Sequence, residues 1–390
     1  MNTTAKAHGL DGSMVEPDWP PVTLGEAREL LSLFPGVGEP IEILSVSPRP
    51  FSAASVVATG TGQVFIKRHS RKVRDRNGLL EEHRFMRYLR ENGAPVPRVY
   101  AASSGETAIE IDDSTFEVHE VPAGIDLYEE ALSWTPFRST AHARSVGETL
   151  ARLHLASQGF DAPRRKMQPL VAGFTIFAAE NPNAAMEGYL AARPALAEDA
   201  VTREGCDEAL DLLKPFHSEL RPLLPALKPL WTHNDLHASN LLWSDASDNA
   251  RAVAVIDFGL ADRTNAMHDL AQAIERNIVE WLDLIDDSTR GEVRVYINHL
   301  EALLDGYEQV RSLSVEEAAA LAPMTALCHA EFALTEADYF LGVLHSKEKA
   351  RIASFDYLVG HARWFCGAGG QRLLDAIGRW ATKRSGMKCR

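Results

Sequence analysis

The chain has 390 residues, 45% hydrophobic and 24% charged, a composition that places it among globular proteins and excludes global disorder. Forty basic residues against 54 acidic ones leave a formal net charge of −14, which repels polyphosphate backbones and sets the expectation against nucleic-acid partners. The polar start Met1–Met14 has no signal-peptide core, no apolar run reaches the ~18 residues of a membrane span, and the four scattered cysteines form no CxxC pair. The expectation is a cytoplasmic protein without membrane contact, built as two domains or one bilobal unit.

Residues 1–40 read as a polar leader followed by one helix, Leu24–Leu31, with Thr23 as N-cap and Pro35-Gly36 as its stop. The period then shortens to that of strands. Ile41–Val46, Ala54–Ala58 and Gln63–Lys67 are β-rich runs, the last two joined by the hairpin signal Gly60-Thr61-Gly62. Helical spacing returns with Leu79, Glu82, Phe85, Met86 and Leu89. Two more strands are expected near Ala108–Ile111 and Thr115–Glu120, and Gly124 closes this section. From there the chain reads as helical, with Val146, Leu150, Leu153 and His154 on one face. One β-like island interrupts it, at Leu241–Trp243 and Val253–Ile256. A small β-rich lobe (41–124) followed by a larger helical lobe (125–390) is an α+β pattern.

The island carries the chemistry. His233, Asp235, His237 and Asn240 fall within eight residues, and Asp257 ends the apolar run that follows. If the two short strands pair, Asn240 and Asp257 come together at their ends. Phosphoryl transfer needs this arrangement: one acid to receive the acceptor's hydroxyl proton, and an oxygen-donor pair to hold Mg²⁺ against nucleotide phosphates. Asp235 takes the first role, Asn240 and Asp257 the second. A rival reading makes His233, Asp235 and His237, alternating along a strand, ligands of a hydrolytic metal.

The spacing His-x-Asp-x-x-x-x-Asn from His233 to Asn240, with the segment Ile256–Gly259 after it, resembles the aminoglycoside phosphotransferase and choline kinase family. That resemblance implies a protein-kinase-like bilobal fold. It implies that Lys67 grips the nucleotide phosphates and pairs with Glu82, and that residues 119–124, with Glu120 and Pro122, form the hinge that meets adenine. Pro122 has no N–H to donate, so neighbouring backbone groups must carry the purine contact, and GTP stands beside ATP as a possible donor. The first hairpin has no glycine, so Ser52 and Ser55 are expected to face the phosphates. His233 and His237 are supporting residues in this reading, and Asp269 an acid that holds the loop.

Only twelve residues separate Asp257 from Asp269, no Ala-Pro-Glu anchor follows, and Asn234 stands where protein kinases carry an arginine. A small hydroxylated acceptor is therefore expected, and the net charge favours a cationic one: an aminoglycoside, choline, homoserine or amino alcohol. A stress-response protein Ser/Thr kinase and a catalytically dead binding module are the alternatives on the same fold. Glu280, Trp281, Glu331, Glu336, Asp338, Tyr339 and Trp364 are candidate pocket residues. The segment Met167–Arg193, with Phe174, Phe177 and Tyr189, is a candidate pocket wall.

Overall fold

A computed structural model describes residues 17–47, 49–166, 169–284 and 293–388. The leader up to residue 16, part of the first hairpin (Pro48) and the start of the 167–193 segment lie outside the described residues.

The small lobe is a five-stranded antiparallel sheet in the order β1-β2-β3-β5-β4, with β1 Pro40–Val46, β2 Ala53–Thr59, β3 Gly62–Ser70, β4 Ile109–Ile111 and β5 Ser114–Glu120. Helix α1 (Leu24–Leu31) begins with a capping box: Thr23 accepts from the Glu26 amide, and Glu26 accepts from that of Thr23. It buries Ala27, Leu30 and Leu31 in a core shared with Val57, Ile66 and Val118. Helix α2 (Arg76–Glu91), capped by Asp75, packs on the other side of the sheet. It turns Phe85, Met86 and Leu89 into the main core.

The connection to the large lobe is tight. Ile125 exchanges both backbone hydrogen bonds with Trp243, each 2.9 Å long. Gly124 makes this possible: its φ is +124°, and a Cβ there would come within 2.8 Å of Val253 Cγ2.

The large lobe comprises α3 (Thr140–Ala156), α4 (Pro182–Ala191), α5 (Pro194–Glu198), α6 (Ala200–Leu220), α7 (Ala266–Ile278), α8 (Ile297–Val310), α9 (Val315–Leu327), α10 (His329–Gly342), α11 (Lys347–Arg351), α12 (Gly360–Cys366) and α13 (Ala368–Lys388). A π-helical stretch, Ile352–Val359, separates α11 from α12. Two small ribbons sit against these helices: β6 (Pro229–Thr232) with β9 (Asp262–Asn265), and β7 (Leu241–Trp243) with β8 (Ala252–Val255). The second is the expected island; the four-residue strands of the first are too short to show a period, and α6 adds a helix to those expected. Helices α3 and α8 cross closely because Gly147 and Gly306 lie where a Cβ would strike the facing backbone, at the Leu303 and Arg144 carbonyls. That close crossing places His154 of α3 against Tyr307 of α8, 2.7 Å apart.

No helix among the described residues is long and apolar enough to cross a membrane.

Candidate active site

The catalytic-type loop runs from β6 to β7 and is held from below. Asp269, in the first turn of α7, accepts hydrogen bonds from the amides of His233 (2.9 Å) and Asn234 (2.7 Å) and lies 3.0 Å from His154 Nε2. Burial pushes its pKa up, but His154 and the loop amides outweigh this and hold it below the usual carboxylate range. The N-cap of α7 is Asn265, so Asp269 is free to grip the loop. Asn234 adopts φ +62° and turns its carbonyl to Thr232 and Thr264 Oγ1, at 2.8 and 3.1 Å. Its amide nitrogen donates to Leu260 O.

His233 lies with Nε2 3.0 Å from the Ile256 carbonyl, while its Nδ1 accepts from the Asp235 amide. It braces the loop and the segment carrying Asp257. The metal reading of His233, Asp235 and His237 finds no support in this geometry. Among the described residues, the side chains close enough to share an ion are His83, Glu117 and His119, in the small lobe. His237 bonds Ser239 through Nδ1 and places Nε2 3.6 Å from Asp235 Oδ2.

Asp235 itself opens into the cleft between the lobes. Burial raises its pKa, yet His237 and Arg276 win and hold it below the usual range, so the carboxylate is ionised at neutral pH. Asn240 donates through Nδ2 to the Asp235 carbonyl (2.8 Å), which leaves its amide oxygen as a ligand atom. The Ile256 amide donates to Asn240 O, and β7 pairs with β8; together these bring Asn240 beside Asp257. Asp257 sits at φ +59°, an uncommon conformation for a residue with a side chain. Phe258 behind it is fully buried, 4.7 Å from the His233 ring and 6.0 Å from that of Phe85. Two oxygen donors on rigid backbone at one cleft suit a hard divalent ion.

From the small lobe, Lys67 Nζ reaches Asp257 Oδ1 at 2.9 Å. Burial opposes its charge; Asp257, Glu117 and Glu82 together overcome this and raise its pKa. The expected pairing with Glu82 differs in the structure. Glu82 lies 3.6 Å from Arg165 Nη2, and that guanidinium also donates to Gly78 O and Gly259 O. The acid directly across the ladder from Lys67 is Glu117, its register partner on β5. Glu117 is buried, and His83 (2.7 Å), His119 (2.8 Å) and His69 (3.0 Å) surround its carboxylate.

The remaining expectations divide. Ser52 lines the cleft with Lys67, Asp235, Asn240 and Asp257, around a cavity of about 290 Å³. Ser55 does not: it pairs with Ile66, so it points to the opposite face of the sheet from Lys67. Glu120 is bonded to the Arg98 amide and lies 3.2 Å from Arg90, and neither it nor Pro122 lines this cavity. Phe174, Phe177 and Tyr189 are core residues. Of the candidate pocket residues in the C-terminal helices, Glu336 lines the cavity; Glu331 instead accepts from the amides of Thr175 and Ile176, and Trp281 and Trp364 are buried packing.

Among the cavity residues that the sequence did not reveal are Arg49 and Arg276. Arg49, in the glycine-free hairpin, donates to Ala131 O and faces Asp126, Asp257 and Asp235, so a cation sits where a glycine loop was missing. Arg276 of α7 lies 3.6 Å from Asp235 Oδ1. It shares the wholly buried α7 with Asp269, Gln272, Glu275 and Asn277, so its charge does not stand out in the sequence.

Residues 49–313 match the family described as the phosphotransferase enzyme family. A homoserine kinase of Rhodospirillum rubrum is 26% identical over 60% of this chain, and the match spans 61% of that relative. Among solved structures, a microcompartment-associated aminopropanol kinase superposes with a TM-score of 0.60 at 19% identity, covering 91% of this chain and 99% of its own. An amicoumacin kinase in complex with AMP-PNP, Ca²⁺ and its antibiotic gives 0.53 at 14%, over 86% and 91%. These likenesses share the two-lobed kinase-like fold.

Proposed function

The chain belongs to the phosphotransferase enzyme family and is a kinase in type, and from that premise we propose that it moves the γ-phosphate of ATP onto the hydroxyl of a small molecule. The observation that carries this reading is the convergence of Lys67, Asp235, Asn240 and Asp257 on one cavity between the lobes. The acceptor oxygen bonds to the γ-phosphorus, the bond to the β–γ bridging oxygen breaks, and ADP leaves. Asp235, ionised and open to the cavity, orients the hydroxyl and receives its proton. Lys67 and Arg49 bring positive charge to the nucleotide phosphates from residues 41–124, while the acceptor lies against residues 125–390. Asn240 and Asp257 would hold a magnesium ion, which when bound neutralises charge on the phosphates.

The acceptor is small for a structural reason. After Asp257 the chain enters β9 within five residues and α7 within nine, so no segment is left over to dock a peptide. Relatives named as kinases of homoserine and aminopropanol support a short amine-bearing alcohol. The test is a thermal shift with ATP and Mg²⁺, followed by acceptor-dependent ADP release over hydroxylated amines, amino acids and antibiotics. A folded protein that shows no nucleotide-induced shift contradicts the reading.

A further inference from the structure

Arg276 is 1% exposed and lines the active-site cavity, yet its Nε and Nη2 atoms make no hydrogen bond. Its neighbours Asp235 and Glu275 stand at 3.6 and 3.7 Å, ion-pair distances that leave the donors unsatisfied. The guanidinium lies 3.9 Å over the Phe332 ring, with Trp134 and Tyr357 rings at 5.3 and 5.7 Å. Aromatic walls fix its plane and exclude water. A buried, unbonded guanidinium fork costs free energy unless something fills it, and the group that matches its geometry is a carboxylate held in two parallel hydrogen bonds.

Glu336 of α10 lines the same cavity. Among the described residues its side chain forms no hydrogen bond or ion pair, and it faces Arg276, Asp235 and Glu275. Without a further cation beside it this acid keeps its proton at neutral pH; an ammonium group brought in by a ligand favours the ionised form, and the proton leaves to solvent.

Resting on the phosphotransferase reading, we propose that the acceptor is a short amino acid bearing a side-chain hydroxyl, with Arg276 taking its carboxylate and Glu336 its ammonium group while the hydroxyl reaches Asp235. The 3.6 Å between Arg276 and Asp235 limits the carboxylate-to-hydroxyl span to a few carbon atoms. It disfavours bulky polycyclic acceptors. The aromatic rings beside Arg276 cover the acceptor's methylene groups.

The experiment compares acceptors that differ only in the carboxylate: L-homoserine against 3-amino-1-propanol, and L-serine against ethanolamine. The wild type is expected to favour the amino acid of one pair by ~100-fold or more in kcat/KM, because an unfilled guanidinium is left without its partner. Arg276→Gln should reduce that ratio below about threefold, with the loss in KM of the amino acid. Arg276→Lys, which keeps the charge without the planar fork, should give an intermediate ratio and guards against a folding failure. Glu336→Gln should reduce preference for L-homoserine over 4-hydroxybutanoate by ~10-fold or more.

Three results overturn the proposal. Equal loss of kcat for both members of a pair in Arg276→Gln makes the arginine a positioning residue for Asp235. A rise confined to nucleotide KM assigns it to phosphate. Wild-type preference for the amino alcohols removes the carboxylate subsite but leaves the phosphotransferase reading standing, which falls if the folded protein shows no nucleotide-induced thermal shift.

Discussion

Lys67 and Asp257 meet at 2.9 Å across the cleft, one within a small-lobe strand and the other beyond a large-lobe strand, 190 positions apart in the chain. The pair ties the two lobes together. Each partner is assigned to a different part of a metal-nucleotide complex, so binding must exchange this contact for two others. Lys67→Ala should raise nucleotide KM by ~10-fold or more, through the lost charge-assisted contact to phosphate. Asp257→Asn should instead remove the dependence of nucleotide binding on Mg²⁺. Calorimetric titration with and without the ion checks both, and a nucleotide affinity that ignores Lys67→Ala contradicts the assignment.

Glu117, rather than Glu82, faces Lys67 across the β3–β5 ladder and holds three imidazoles. When Asp257 turns to a metal, Glu117 on the neighbouring strand, with Glu82, still favours the charged lysine. Glu117→Gln should therefore raise nucleotide KM, whereas Glu82→Gln should act on stability through its contact with Arg165. The loss of a charged acceptor by three buried donors should also cost Glu117→Gln several kcal/mol, on the order of 1–3 per unsatisfied group. Measured KM and Tm values for the two variants separate these roles; a larger KM effect in Glu82→Gln reverses the assignment.

Asp235 and Asp269 serve one loop in different ways. Asp235→Asn should lower kcat by ~100-fold or more with little change in nucleotide affinity, since it keeps its shape and loses its proton-accepting charge. Asp269→Ala should strip two loop amides and His154 of their partner, at a cost of about 3–5 kcal/mol. Chemical denaturation should register the second variant and leave the first near wild type.

The sequence makes the site's short-range parts legible. His233, Asp235 and Asn240 are packed into one loop, and Asp257 follows an apolar strand, so local pattern alone brings them near each other. Helix α1 shows itself through Thr23 and Glu26 in the same way. Contacts made across the fold are not local. Glu82 shares a face with core residues of α2, but only packing sends it to Arg165. Ser55 lies three residues from Ser52, and one strand register turns it to the other face. Arg276 and Glu336 come from helices sixty residues apart, and no period in either helix encodes that they line one cavity.

Glu336 gives a pH signature. Burial, with Asp235 and Glu275 nearby and only Arg276 opposing, pushes its pKa from the ordinary 4.5 to about 8. Below pH 4.5 the carboxyl is protonated in both folded and unfolded chains. Between there and about pH 8 the unfolded chain releases the proton and the folded one keeps it, so this group lowers stability as pH rises, by up to about 1.4 kcal/mol per pH unit. Glu336→Gln should therefore gain stability relative to wild type as pH goes from 5 to 8. Paired melting curves at the two pH values check this; a difference between variant and wild type that does not change with pH contradicts it.

The central claim is phosphoryl transfer to a small hydroxyl under the control of Asp235. Its most direct test is transfer of ³²P from [γ-³²P]ATP by wild type and Asp235→Asn, with hydroxylated amino acids, amino alcohols, aminoglycosides and generic protein substrates offered separately. The account predicts saturable label on a small acceptor, ~100-fold or more slower in Asp235→Asn. Label placed on Ser or Thr of proteins with no small molecule accepted, or equal rates for the two enzymes, would contradict it.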